Sequence, residues 1–116
     1  MMTFTDFRRL YSEAMEANDI EMYIAERGWQ GWMDDDNNPA DTLTSIYSMA
    51  NGGINDIIAT SNLSKAAFYR TFAIPERSLF NWVAGSRPAP PYILLLLAYA
   101  TLNIRWEARH NDTDTD

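Results

Sequence analysis

The chain of 116 residues contains no cysteine. Without thiols it can form neither disulfide bonds nor the thiolate-ligated metal sites of zinc proteins. This composition is compatible with a reducing compartment, and residues 1–10 lack the apolar run of a signal peptide. We therefore expect a cytoplasmic protein.

Histidine is nearly absent, since the only one, His110, lies in the polar segment that closes the sequence. That position gives the imidazole no structural setting for acid–base chemistry or metal binding. No glycine-rich phosphate loop or nucleophile motif occurs elsewhere in the sequence. We therefore expect a protein that is not an enzyme and that needs no cofactor.

Long hydrophobic runs are also missing. The longest, residues 92–104, would form a helix of about 20 Å, whereas the hydrocarbon core of a bilayer is about 30 Å thick. We interpret it as the last helix of the fold, either central to the core or shared with a second subunit. The sequence gives no reason to expect a membrane partner.

Positive charge is scarce, because 9 Lys and Arg stand against 16 Asp and Glu and leave a net charge of −7. The charges are unevenly distributed. Residues 1–53 carry three cations and ten acids, whereas residues 54–92 carry four cations and two acids. A local excess of positive charge is what a small nucleic-acid-binding unit requires, even in an acidic chain.

The residues that are abundant predict an all-α protein. Apolar residues make up 47% of the chain and aromatic residues 13%, which is enough for a folded core. Apolar positions recur at helical spacing, with no convincing strand and no internal repeat. Helix starts are predicted at Thr3, Asn18 and Asn38 from their capping side chains. Residues 105–116 are predicted to be a frayed polar tail.

The segment between the second and third predicted helices is expected to be a loop whose Trp29 and Trp32 pack on the domain. Its residues 34–38 imitate the opening of a calcium-binding loop. Pro39 stands where such a loop needs glycine, and Ser45 stands where it needs glutamate. We therefore expect a solvated acidic run here and no metal.

Residues 63–87 carry the most informative pattern. Two short amphipathic helices fit, over residues 64–72 and 76–83, because apolar side chains recur at helical spacing in both. Pro75 separates them, since proline cannot continue a helix and favours an extended residue before it. Gly85 is the natural end of the second helix, because helix ends often adopt positive φ.

The order S-K-A-A-F, I-P-E-R-S-L, N-W, G-S-R-P and then a leucine-rich helix resembles the Cro/lambda-repressor-like (XRE-type) helix-turn-helix family over residues 54–104. The resemblance implies a helix-turn-helix bundle, with residues 1–53 as an acidic helical region packed on it or extending it. Two positions depart from the family. Ala73 stands where glycine is usual, which would cost on the order of 1 kcal/mol at positive φ. Tyr69 stands where a small residue usually lets the helices approach closely.

The same resemblance implies that the second helix of the pair enters the major groove of double-stranded DNA. Arginine can fork onto guanine, asparagine pairs with adenine, and glutamate accepts from cytosine. The residues implied to read bases are Glu76, Arg77, Ser78 and Asn81. The residues implied to bind phosphate are Ser64, Lys65, Ser86 and Arg87.

Two hypotheses for the function follow. The first is a sequence-specific DNA-binding transcription regulator of bacterial or phage origin, located at the nucleoid when bound and acting as a homodimer on a near-palindrome. The second is a protein-interaction module, antitoxin-like or an acidic DNA mimic, that uses the same helical fold without binding DNA. Phe80 on the outer face of its helix and the net charge of −7 motivate the second hypothesis.

Overall fold

The computed structural model of the chain describes residues 2–114, and the side chains of residues 2–108. These residues form α-helices and one short 3-10 helix, with no strand among them, which confirms the all-α prediction. The α-helices are α1 Phe4–Glu16, α2 Ile20–Ala25, α3 Pro39–Gly52, α4 Ile54–Ser61, α5 Lys65–Thr71, α6 Glu76–Ala84 and α7 Pro91–Asp114. The 3-10 helix is Gly31–Asp35. The side chain of His110 lies outside the described residues.

Side-chain caps set the starts of the first three helices. Thr3 Oγ1 accepts a hydrogen bond at 3.1 Å from the N–H three residues further on, and Asn38 Oδ1 accepts one at 3.2 Å in the same way. Both predicted starts are confirmed. The predicted start at Asn18 is wrong by one residue, because Asp19 Oδ1 accepts the capping hydrogen bond at 2.8 Å. A carboxylate at this position also interacts favourably with the helix dipole.

The core is built around α3, which contacts α1, α2, α4 and α7. Burial of apolar side chains along these contacts is the main stabilising term for such a fold. The largest fully buried side chains are Tyr23, Phe7, Phe68, Leu10, Leu43, Ile46, Met49, Ile57, Leu79 and Thr101. Because this cluster includes residues of α1 to α6 and of α7, the acidic N-terminal helices share one core with the rest of the chain.

The last helix is longer than predicted and is buried on one face only. It continues past Ile104 to Asp114, so the segment expected to fray is helical as far as that residue. Leu97, Ala98 and Leu102 are buried, whereas Tyr92 and Leu96 are exposed. Within residues 2–114, none of the helices combines the length and hydrophobicity that a bilayer crossing requires.

A buried polar cluster joins α1 to α2. The Tyr23 hydroxyl donates a hydrogen bond to the Leu10 carbonyl at 2.8 Å, and burial raises the pKa of Tyr23 far above its ordinary value. The Arg27 guanidinium lies 4.7 Å from the centre of the Tyr23 ring and forms an ion pair with Glu13 at 2.7 Å. The cations of the acidic region are therefore largely engaged in contacts with its own residues.

The segment after α2 departs from the predicted loop. It contains the 3-10 helix, and Trp32 is partly buried against the core as predicted. The prediction that Trp29 packs on the domain is wrong, because its side chain is 72% exposed. The indole Nε1 of Trp29 donates a hydrogen bond to Asp34 Oδ1 at 2.9 Å instead. Among the described side chains, no group of three or more His, Asp or Glu is placed to hold a metal ion.

Candidate nucleic-acid interface

The helices α5 and α6 form a compact pair held against α4. Residues 72–75 connect them, and each contacts α4 as well as the other helix. Ser64 caps α5, because its Oγ accepts a hydrogen bond from the Ala67 N–H at 3.1 Å, as its sequence position predicts. Phe68 of α5 and Leu79 of α6 are both 0% exposed. These two side chains fix the inner faces of the pair and leave the opposite face of α6 at the surface.

The turn between the helices is a Schellman motif centred on Ala73. The Ile74 N–H donates to the Tyr69 carbonyl at 2.9 Å, and the Ala73 N–H donates to the Arg70 carbonyl at 3.3 Å. Ala73 adopts φ of 53°, the left-handed conformation that glycine occupies most easily. The turn therefore keeps the expected geometry with a residue that is strained in it.

A second Schellman motif ends α6. The Ser86 N–H donates to the Asn81 carbonyl at 3.0 Å, the Gly85 N–H donates to the Trp82 carbonyl at 3.2 Å, and Gly85 has φ of 80°. The sequence predicted this stop correctly. The first motif ends α5 and the second ends α6, so α6 is a helix of nine residues, Glu76–Ala84, that begins after Pro75 and stops at Gly85.

Replacing Ala73 with glycine should raise the free energy of unfolding by about 0.5–1 kcal/mol, because glycine removes the left-handed strain at a modest entropic cost. Urea denaturation of the two proteins measures the difference. Ala59→Gly is the matched control, since Ala59 is exposed in the middle of α4 and glycine there should lower stability by a similar amount. Equal effects of the two substitutions would contradict a strained turn.

Three of the four residues implied to read bases share one exposed surface of α6. Glu76, Arg77 and Asn81 line a shallow open depression of ≈ 370 Å³ together with Phe80. Glu76 and Arg77 are exposed and Asn81 is partly buried. Ser78 is partly buried and does not line this depression. The arrangement offers one cation, one anion and one amide to a ligand on a single helical face.

The start of α6 also presents backbone donors. Pro75 occupies the capping position and supplies no side-chain acceptor to the first N–H groups of the helix. In a nine-residue helix these groups carry the positive end of the dipole and favour an anion. Glu76 and Arg77 both lie in this first turn, so the start of α6 carries one anion and one cation beside the backbone donors.

The four residues implied to bind phosphate are all exposed. Ser64 and Lys65 lie at the start of α5, and Ser86 and Arg87 follow Gly85. The hydroxyl of Ser64 accepts the capping hydrogen bond and still has its proton to donate. The family resemblance implies phosphate binding for these four residues. Two of them precede α6 in the sequence and two follow it.

The cations of this region are not engaged within the described part of the chain. Arg77 is adjacent to Glu76 in sequence, yet neither it nor Lys65 nor Arg87 forms an ion pair or side-chain hydrogen bond with a described residue. Arg70 differs, because its Nε donates to the Ala66 carbonyl at 3.1 Å. In the acidic region Arg9 and Arg27 form ion pairs, whereas Arg8 forms none with a described residue.

An aromatic pair joins the two helices at the edge of the α6 surface. The rings of Tyr69 and Phe80 meet edge to face, with centroids 6.4 Å apart. Tyr69 is partly buried against the core, whereas Phe80 is 45% exposed. Trp82 is partly buried against the core rather than free to stack on a base. The contact between these two rings was not predicted. The features of the sequence that could have indicated it are Phe80 on an outer helical face and the bulky Tyr69.

No protein-family model matches the chain, and no curated protein and no solved structure matches it.

Proposed function

We propose that the chain is a sequence-specific double-stranded DNA-binding protein, a transcription regulator with a lambda-repressor-like helix-turn-helix. The observation that carries the proposal is the exposed surface of α6, on which Glu76, Arg77 and Asn81 lie together while Leu79 on the other side is fully buried. A helix braced in this way can enter a major groove with its polar face toward the bases.

The side chains of this surface match distinct base edges. Arg77 can donate two hydrogen bonds to O6 and N7 of guanine, and Asn81 can pair with N6 and N7 of adenine. Glu76 can accept from N4 of cytosine. Ser78, at the first turn of α6 but off the shared surface, is suited to a base or phosphate at the margin of the site. These contacts would supply the sequence preference.

Phosphate contacts from Ser64, Lys65, Ser86 and Arg87 would position α6 without reading sequence. The number of cations is small, and the net charge of −7 repels DNA elsewhere on the molecule. Specific binding therefore requires two half-sites read by a homodimer, as in other helix-turn-helix proteins. Tyr92 and Leu96, which are uncharged and exposed on α7, are suited to the subunit contact.

Salt titration tests DNA binding directly. Duplexes selected from a random pool, measured by fluorescence anisotropy at several salt concentrations, should lose affinity with a log–log slope of about −2 to −5, because a few phosphate contacts release a few counterions. A duplex of scrambled sequence is the control, and it should bind more weakly at every salt concentration. The absence of binding to any duplex at low salt would contradict the proposal.

A second candidate function is a protein-interaction module, and one observation favours it. The acidic region exposes four large apolar side chains, Phe4, Met15, Met22 and Trp29, which are 36%, 59%, 48% and 72% accessible. Acidic side chains combined with exposed apolar groups suit a basic protein partner. Retained binding of such a partner by Arg77→Ala, with no binding to DNA by the wild type, would favour this function.

A further inference from the structure

Phe80 is an apolar ring on an otherwise polar surface. It lies next to Asn81 in sequence and three residues after Arg77, and it lines the same depression as both. At 45% exposure it leaves a large part of its ring uncovered. Exposure of a phenyl ring on a polar surface costs free energy unless a ligand covers it.

The ring is also held in place. Tyr69 meets Phe80 edge to face across the two helices at 6.4 Å, and Tyr69 itself packs against the core. The same residue accepts the hydrogen bond from Ile74 that closes the turn, at 2.9 Å. The position of the Phe80 ring relative to Arg77 and Asn81 is therefore fixed before any ligand binds, which lowers the entropic cost of using it for recognition.

We propose that Phe80 reads the C5-methyl group of a thymine, at a base pair adjacent to those contacted by Arg77 and Asn81. This inference rests on the proposed DNA binding. Among the base-pair edges of the major groove the thymine methyl is the apolar group, and phenylalanine is one of the side chains that contact it. Arg77, which lines the same depression as the ring and has no ion-pair partner among the described residues, favours an anionic ligand, and DNA is an anionic ligand that also offers an apolar methyl group.

The test replaces each thymine of a selected duplex with deoxyuridine, which keeps base pairing and removes only the methyl group. For the wild-type protein, a single replacement in one half-site should weaken binding about fourfold, the effect of one buried methyl-sized group. For Phe80→Ala, that same replacement should change the dissociation constant less than about 1.5-fold, because the contact is already absent. Fluorescence anisotropy measures all four dissociation constants of each cycle.

Trp29→Ala is the matched control, since it removes another exposed aromatic side chain, in the acidic region. It should keep the full wild-type sensitivity to deoxyuridine. Thermal unfolding of Phe80→Ala checks that the fold is retained, as expected for an exposed residue. Insensitivity of the wild type at every thymine, or equal sensitivity in Phe80→Ala, would overturn the role of Phe80 while leaving DNA binding intact. Failure of the wild type to bind any duplex would overturn both proposals.

Discussion

Replacing Arg77 with alanine should weaken binding to a selected duplex by roughly 1–3 kcal/mol, or about five- to 150-fold, for each half-site, and should relax the preference for guanine at one position of each half-site. The guanidinium is exposed on the surface of α6 and has no partner among the described residues, so it is free to donate two hydrogen bonds to one base. Competition binding against duplexes carrying each base at that position measures the change.

Arg8→Ala is the matched control for the lost charge. Arg8 is exposed on α1 and, like Arg77, forms no ion pair with a described residue. If net charge alone governs binding, the two substitutions will have equal effects at every sequence. If Arg77 reads a base, only its replacement will change the order of preference among duplexes. Unchanged preference in Arg77→Ala would remove this residue from the proposed site.

The pair α5–α6 shows what local sequence can determine. Ser64 caps α5, Pro75 precedes α6 and Gly85 ends it, and each of these outcomes depends on the backbone preferences of one residue. The positive φ of Ala73 was expected from the family resemblance, because glycine is usual at this position. Such features were predictable because the free energies that decide them arise within a few residues along the chain.

The features that the sequence did not reveal depend on contacts between distant residues. Trp29 is a large aromatic residue of a type that often packs in a core, yet its side chain is exposed. Its position follows from the path of the chain between α2 and the 3-10 helix. The continuation of α7 to Asp114 has a partly local cause, since residues 105–114 contain neither glycine nor proline. Arg105 also binds Asp41 of α3 at 3.1 Å, a contact between residues far apart in sequence.

The candidate site also has one part that the sequence predicted and another part that depends on contacts between helices. The family resemblance pointed to Glu76, Arg77, Ser78 and Asn81, and α6 brings all of these but Ser78 to one surface. The Tyr69–Phe80 contact depends on the distance between α5 and α6. The spacing of residues along one helix does not determine the distance between two helices. The position of the exposed ring could therefore be seen only in the three-dimensional structure.

Replacing Leu79 with alanine should lower the free energy of unfolding by about 2–5 kcal/mol, the cost of deleting a fully buried leucine and leaving a cavity. Leu79 is the side chain by which α6 is anchored, so this loss should also loosen the helix and weaken DNA binding. Urea denaturation gives the stability change, and hydrogen exchange of the α6 amides shows whether the helix opens locally.

The neighbouring residue provides the control for this experiment. Phe80 follows Leu79 directly but is 45% exposed, so Phe80→Ala should cost much less stability even though it removes a larger side chain. If burial holds α6 in place, Leu79→Ala will weaken binding to all duplexes together with the loss of protection in α6, whereas Phe80→Ala will leave α6 protected. A Leu79→Ala protein that keeps both wild-type stability and wild-type affinity would show that α6 is not anchored through this side chain.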